Sequence, residues 1–290
     1  METRYRSRST TTRIRTEYTV TNRPLRIIVF GAHPDDCDIK AGGLAINYAA
    51  LGHEVRFVSM TNGDAGHHEM GGISLARKRR AEAQAAGAVA GIEYHVSDNH
   101  DGELEPTLEN RKNLIRMIRS YTPDLILTHR PNDYHPDHRY AGILVQDAAY
   151  MVTVPNVCTD VPALAYNPVI AYMSDNFRFP APFMPEVAID IDDIVDKKLD
   201  MLHCHTSQMY EWLPFNAGKL DEVPNSPRQR RKWLEHRLEQ FRAVADRHRD
   251  ILVKRYGESR GRTVRYAEAF QVCEYGAALT PENTSVLFPF

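Results

Sequence analysis

Two short clusters hold the residues with chemistry to offer. Gly31-Ala32-His33-Pro34-Asp35-Asp36 follows the apolar run Leu25–Phe30, and His135-Pro136-Asp137-His138 follows a second apolar run, Asp124–Thr128. Each sets imidazoles and carboxylates at the end of a predicted strand, where open α/β sheets bind their ligands. Imidazole nitrogen with carboxylate oxygen suits zinc, which in a catalytic site takes three protein ligands and leaves a position for water. Iron(II), manganese or cobalt accept the same donors. Neighbouring Asp35 and Asp36 point different ways from an extended loop, so one can join His33 on a metal while the other faces the open position. In the second cluster Pro136 suits the first position of a helix, with His135 near its cap. His138, in the first turn, can complete the site, and Asp137 can hold a neighbouring imidazole in one tautomer. A free carboxylate takes a proton from water, and a histidine stabilises an oxyanion or protonates a leaving group. That set hydrolyses an amide without a protein nucleophile. No G-x-S-x-G elbow is present, and Cys37 reads as packing rather than as a further ligand.

The elements around these clusters alternate. Leu25–Phe30, Glu54–Met60, Ile92–Val96 and Asp124–Thr128 read as strands, and Gly42–Leu51, Ser74–Ala90 and Leu108–Tyr121 as the helices between them. The expectation is an α/β, Rossmann-like, mostly parallel sheet with helices on both faces. Right-handed crossovers then bring the two clusters to one edge. Beyond Tyr140 the pattern loosens into C-terminal helical and strand additions. Arg139–Val152 reads as a helix, Pro168–Met173 and Glu186–Ile191 as strands, and Asp192 as the N-cap of a helix through His203. Arg228–Lys254 reads as one long charged helix with a stripe of Leu234, Leu238, Phe241, Val244, Ala245, His248 and Leu252, facing either the domain or a second subunit of a homo-oligomer. Tyr266–Glu274 reads as a final strand. His67 and His68 read as part of a solvated loop.

Composition excludes several classes. The chain has 290 residues, 42% hydrophobic and 26% charged, with a formal net charge of −2. That balance argues against a nucleic-acid surface or a polybasic membrane patch, and no apolar run is long enough for a membrane span. The four cysteines are scattered without a C-x-x-C, which points to a reducing, cytoplasmic setting. Residues 1–24 are rich in Arg, Ser and Thr and lack an apolar segment of a secretory signal, so they read as a flexible or partner-bound arm before a domain spanning 25–290. Ala41-Gly42-Gly43 follows the first strand, but there is no G-x-G-x-x-G and acids occupy the turn, which disfavours a pyrophosphate.

Taken together, the motifs resemble the PIG-L/LmbE-like zinc-dependent N-acetylglucosaminyl deacetylases. The resemblance runs from Leu25 to Glu274 through Ala32–Asp36, Ala41-Gly42-Gly43, Thr61–Gly66, Arg79–Glu82, Asp101–Leu104 and Tyr134–His138. It continues with His205-x-Ser207-Gln208 and Tyr266–Phe270. It implies His33, Asp36 and His138 as zinc ligands and Asp35 as general base. His135 becomes the electrostatic stabiliser or acid, and Asp137 its orienting partner or a tuning group. Arg79 and Asp101 fall where relatives touch sugar hydroxyls. The implied reaction removes acetyl from an N-acetylglucosamine-type amino sugar or conjugate. A different amide, such as that of a thiol conjugate, and a non-catalytic sugar-binding protein are the alternatives. Cys37 and Asp38 stand where many relatives place a glutamate, and the stretch 213–231 matches no motif.

Overall fold

The computed structural model describes residues 23–290. The expected arm, 1–24, lies outside the described residues except for Arg23 and Pro24. Arg23 makes two hydrogen bonds, of 2.8 and 2.9 Å, to the carboxylate of Asp124.

Seven strands form one sheet: β1 Arg26–Gly31, β2 Glu54–Ser59, β3 Glu93–Val96, β4 Leu125–Thr128, β5 Val169–Met173, β6 Val187–Asp190 and β7 Ala267–Val272. Their order is β3-β2-β1-β4-β5-β7-β6. The first five are parallel, and β7 runs antiparallel to both β5 and β6. The expected parallel α/β sheet with later additions is therefore the observed fold.

Alternation along β1 explains the layering. Ile27 and Val29 point into one core with α1 (Asp36–Ala50), α2 (Gly72–Ala90) and α5 (Val195–Cys204). Ile28 and Phe30 point into the other with α3 (Leu108–Tyr121) and α4 (Pro136–Met151). Both faces are covered, as a parallel sheet requires. Strand order reverses between β1 and β4, so the crevice for a ligand opens at their carboxyl ends. Both sequence clusters begin there.

Three elements differ from expectation. Helix α1 starts at Asp36, inside the first cluster, and carries Ala41-Gly42-Gly43 within it. Asp36 and Asp38 in the first turn complement the positive end of the helix. Gly43 is required by packing: a Cβ there would lie 2.6 Å from Ile191 Cγ2 and 3.0 Å from Glu268 Oε1. Its N–H donates to Glu268 Oε1 at 2.7 Å, and Leu44 donates to Oε2 at 2.8 Å. Gly43 thus serves a buried glutamate, which Lys198 neutralises at 2.5 Å.

The predicted long helix Arg228–Lys254 is divided into Pro227–Trp233, a 3-10 turn Leu234–Arg237, Leu238–Arg247 and Arg249–Thr263, with non-helical backbone at His248. Leu234, Phe241, Ala245 and Leu252 of its stripe are buried within this chain, so the stripe packs on the domain. Asp192, expected to cap its own helix, instead accepts the backbone N–H groups of Arg265 and Tyr266, and a 3-10 turn precedes α5.

Candidate metal centre

His33 lies two residues past the end of β1, and Asp36 opens α1. Gly31 permits this tight return, since a Cβ there would stand 2.9 Å from both Asp36 Cβ and Cys37 Sγ. His138 lies in the first turn of α4. His135 is that helix's N-cap and Pro136 its first residue. The turn thereby aims both imidazoles at the end of β1.

Three atoms converge. His33 Nδ1 lies 3.4 Å from Asp36 Oδ2, His138 Nε2 lies 3.4 Å from the same oxygen, and the two nitrogens are 3.2 Å apart. Ligand atoms about 2.0–2.1 Å from a tetrahedral zinc are separated by about 3.3 Å, so the triangle has the edge lengths of three tetrahedral positions. The donor set fits a divalent metal.

The surroundings fix each of these three side chains. Asp36 Oδ2 accepts the backbone N–H groups of Ala32 at 3.0 Å and His33 at 2.8 Å. His33 Nε2 faces Asp101 Oδ1 at 3.1 Å and Asp137 Oδ2 at 3.3 Å, and His138 Nδ1 faces Asp133 Oδ1 at 3.1 Å. A carboxylate behind an imidazole fixes its tautomer and raises its basicity. Burial alone would lower the His33 pKa, but Asp101, Asp137 and Asp36 hold it well above the usual imidazole range. Burial alone would likewise raise the Asp36 pKa, yet His138, His129 and His33 hold it well below the carboxylate range. The pocket concentrates negative charge where a cation fits.

Asp35 differs from its neighbour. Among the described residues its carboxylate makes no hydrogen bond, although only 4% of the residue is exposed. Burial, then the adjacent Asp36, raises its pKa. His135 Nδ1 accepts the N–H of Asp137 at 3.2 Å, which leaves the ring proton on Nε2. Its ring stands edge-on to His33, with centroids 4.5 Å apart. Burial, then His33 and His138, lowers its pKa. Asp137 also accepts the N–H groups of Gly102 and Leu104, so its carboxylate backs His33 and anchors the loop after β3.

Arg79 and Asp101 form the inner wall of the pocket. Their side chains are 1% and 7% exposed, with Arg79 Nη1 3.7 Å from Asp101 Oδ2. Arg79 Nη2 donates to Gly66 O and to Gln208 Oε1, the latter at 2.6 Å. One turn further along α2, Glu82 accepts from Thr206 Oγ1 and from both the N–H and the hydroxyl of Ser207. The Arg79–Glu82 and His205–Gln208 motifs therefore clamp each other. Asp38 lies beneath them, 3.2 Å from His205 Nε2 and accepting from Tyr94 OH at 2.9 Å. Cys37 points away from the centre, its thiol directed at Val29 O and Val58 O. His67 and His68 are not solvated: their rings stack on each other and then on Phe215, while His67 Nε2 meets Glu211 Oε2 at 2.9 Å. Their partners sit on a π-helical segment, Ser207–Trp212, and the turn after it.

Two residues of the centre escaped the sequence reading. His129 directly follows β4. Its Nε2 is 3.3 Å from Asp36 Oδ2, and its ring stacks on His138 at 4.2 Å. Burial, then His138, lowers its pKa. Asp133 backs His138 and accepts the N–H of His135. The usable signal for His129 was its place at the end of β4; Asp133 offered none beyond its nearness to His135.

Residues 28–149 match the family model PIG-L, GlcNAc-PI de-N-acetylase, a span that contains both clusters. The diacetylchitobiose deacetylase of Thermococcus kodakarensis is 29% identical over 201 residues, 66% of this chain and 74% of that protein. A 4-oxalmesaconate hydratase of Pseudomonas putida is 25% identical over 193 residues, 64% of this chain and 74% of that protein. The solved structure of N,N'-diacetylchitobiose deacetylase from Pyrococcus horikoshii shares the fold, with a TM-score of 0.67 and 24% identity, covering 86% of this chain and 84% of that one. Among the described residues no helix is long and apolar enough to cross a membrane. Both clusters thus lie inside the span that matches the PIG-L family model, and the chain shares the fold of the solved deacetylase.

Proposed function

We propose that this protein is a metal-dependent hydrolase that removes acetyl from an N-acetylglucosamine-type amino sugar or conjugate. The observation that carries the reading is the triangle of His33, Asp36 and His138 beside an Asp35 carboxylate that has no hydrogen bond among the described residues. The deacetylase relative supports the substrate class.

His33 Nδ1, Asp36 Oδ2 and His138 Nε2 would hold the ion, zinc in the first instance, with iron(II), manganese and cobalt compatible with the same donors. When bound, such an ion supplies Lewis acidity toward water and toward an amide carbonyl. Asp35 accepts the proton of the attacking water, and its raised pKa brings it closer to the working range of a general base. His135, neutral with its proton on Nε2, donates to the oxygen that gains charge at the acetyl carbon. The water oxygen bonds to that carbon, the carbon–nitrogen bond breaks, and the proton held by Asp35 passes to the departing amine. Acetate and the free amino sugar result. Asp137 and Asp101 orient His33, Asp133 orients His138, and Arg79 offsets the charge of the carboxylates.

A second reading follows from the hydratase relative, because an activated water beside an acid–base pair also suits addition to a double bond. Metal analysis of the purified protein coupled to an acetate-release screen over N-acetylglucosaminyl conjugates separates the two. Acetate release that a chelator abolishes and zinc restores is the expected result. Full metal loading with no acetate from any conjugate would overturn the deacetylase reading.

A further inference from the structure

Two aromatic rings from separate loops meet where the metal centre opens. His33, Asp36 and His138 are buried, and so are His129 and Asp137 beside them. Tyr134 borders the same histidines, yet among the described residues it is 72% exposed. Its ring stands edge-on to His135, with centroids 5.7 Å apart, and to His138 at 5.5 Å. The centre therefore opens past Tyr134.

Phe177 joins it from the segment after β5. Its ring lies 6.3 Å from that of Tyr134, with the two planes inclined by 37°, so the pair presents a shallow apolar surface. The segment lies outside the span that matches the family model, and a buried ion pair holds it in place. Arg130, two residues past β4, forks onto Asp175 through two 2.6 Å bonds. It also donates to the carbonyls of Phe177 and Ala181 at 2.9 Å. Asp175 Oδ1 accepts the Phe177 N–H at 2.9 Å. The backbone of Phe177 is thus fixed through both its polar groups. The Arg130 and Asp175 side chains are 4% and 8% exposed, and a forked pair of this kind sets geometry as well as charge. Rings held this firmly and left in water gain by burying their faces against a ligand.

We infer that Tyr134 and Phe177 form an aromatic platform that stacks on the C–H face of the substrate's pyranose ring. This rests on the deacetylase reading and adds to it the residues that select a ring-form amino sugar over an acyclic N-acetyl amine. In an N-acetylated sugar the amide nitrogen alone separates the acetyl carbon from the ring, so the ring begins about 2.4 Å from the reacting carbon. A ring that leaves the centre by its open side meets Tyr134. The axial hydrogens on one face of a pyranose carry partial positive charge and suit the negative face of an aromatic ring.

The test measures acetate release from a methyl glycoside of N-acetylglucosamine and from N-acetylethanolamine, an acyclic amide. Wild type is compared with Tyr134→Ala, Tyr134→Phe and Phe177→Ala. Tyr134→Ala should raise the glycoside KM about 10-fold, the scale of one lost stacking contact. The glycoside-to-amide ratio of kcat/KM should fall by the same factor. Tyr134→Phe keeps the ring and should keep both values, and Phe177→Ala should move both in the direction of Tyr134→Ala. An unmoved KM in either alanine variant, a loss shared equally by the acyclic amide, or a Tyr134→Phe as impaired as Tyr134→Ala would overturn the inference. Binding without turnover is read by saturation-transfer NMR of the same glycoside on zinc-loaded Asp35→Asn protein. Saturation concentrated on the hydrogens of one pyranose face, and lost when Tyr134→Ala is added, is expected; saturation of the acetyl group alone would overturn the platform. Face-selective saturation with no acetate released would leave the platform standing while the deacetylase reading fails. Acetate release with a KM indifferent to Tyr134→Ala would do the reverse.

Discussion

Replacing Asp133 with asparagine should weaken zinc binding about 10- to 100-fold while leaving the fold in place. Asp133 Oδ1 faces His138 Nδ1 at 3.1 Å and accepts the His135 N–H at 3.1 Å. The first contact keeps a proton on Nδ1 and so presents the lone pair of Nε2, the atom that closes the triangle with Asp36 and His33. A carboxamide keeps the shape but loses the charge. Its oxygen, in the place of Oδ1, must serve both the His135 N–H and His138 Nδ1 as a weaker, uncharged acceptor. Outer partners of metal-bound histidines contribute about 10- to 100-fold in affinity, which corresponds to about 1.4–2.7 kcal/mol. The side chain packs no core, so the stability of the metal-free protein should fall by less than about 1 kcal/mol. The assay is competition of metal-free protein against a chromophoric zinc chelator, paired with urea unfolding. Cys37→Ala provides the opposite pattern. Its thiol is buried between strands, so its loss should cost about 1–2 kcal/mol of stability with zinc affinity unchanged. Wild-type affinity in Asp133→Asn, or lost zinc in Cys37→Ala, would refute the assignment of ligands and supports.

Two further outcomes follow from other parts of the structure. Gly43→Ala should destabilise the protein by about 1–3 kcal/mol in urea melts, because the new methyl meets Ile191 and Glu268; an unchanged midpoint would contradict the packing account. Burial alone would lower the His205 pKa, but Asp38, then Asp35 and Glu82, raises it. Its folded value therefore lies above the unfolded value of about 6.5. The stabilisation is complete below that pH and fades as pH rises through the folded value. The stability gap between wild type and His205→Gln should shrink as pH rises above about 6.5, and a gap that widens would contradict the sign.

Much of this was legible in the sequence, for identifiable reasons. Apolar runs separated by helical spacing are local signals, so β1 to β5 and the helices between them fell close to their true bounds, Leu108–Tyr121 without change. The switch point followed from the order of those elements. What misled was glycine. Gly42 and Gly43 read as the beginning of a helix when they lie inside one, because the reason for Gly43 is contact with Ile191 and Glu268, distant in sequence. His129 was hidden for a related reason: a lone histidine carries no spacing, and only the pairing of β4 with β1 sets it beside Asp36. The clamp between α2 and the segment from His205 to Gln208, which fixes Arg79, joins residues far apart in sequence and left no local signal.

The central claim is the division of labour between adjacent aspartates, Asp36 on the metal and Asp35 free to move a proton. Its most direct test is Asp35→Asn, with bound zinc and acetate release measured on the same preparation. The account predicts stoichiometric zinc with turnover reduced by about 10²- to 10⁴-fold. Undiminished turnover, or a protein that loses its zinc along with its activity, would contradict it.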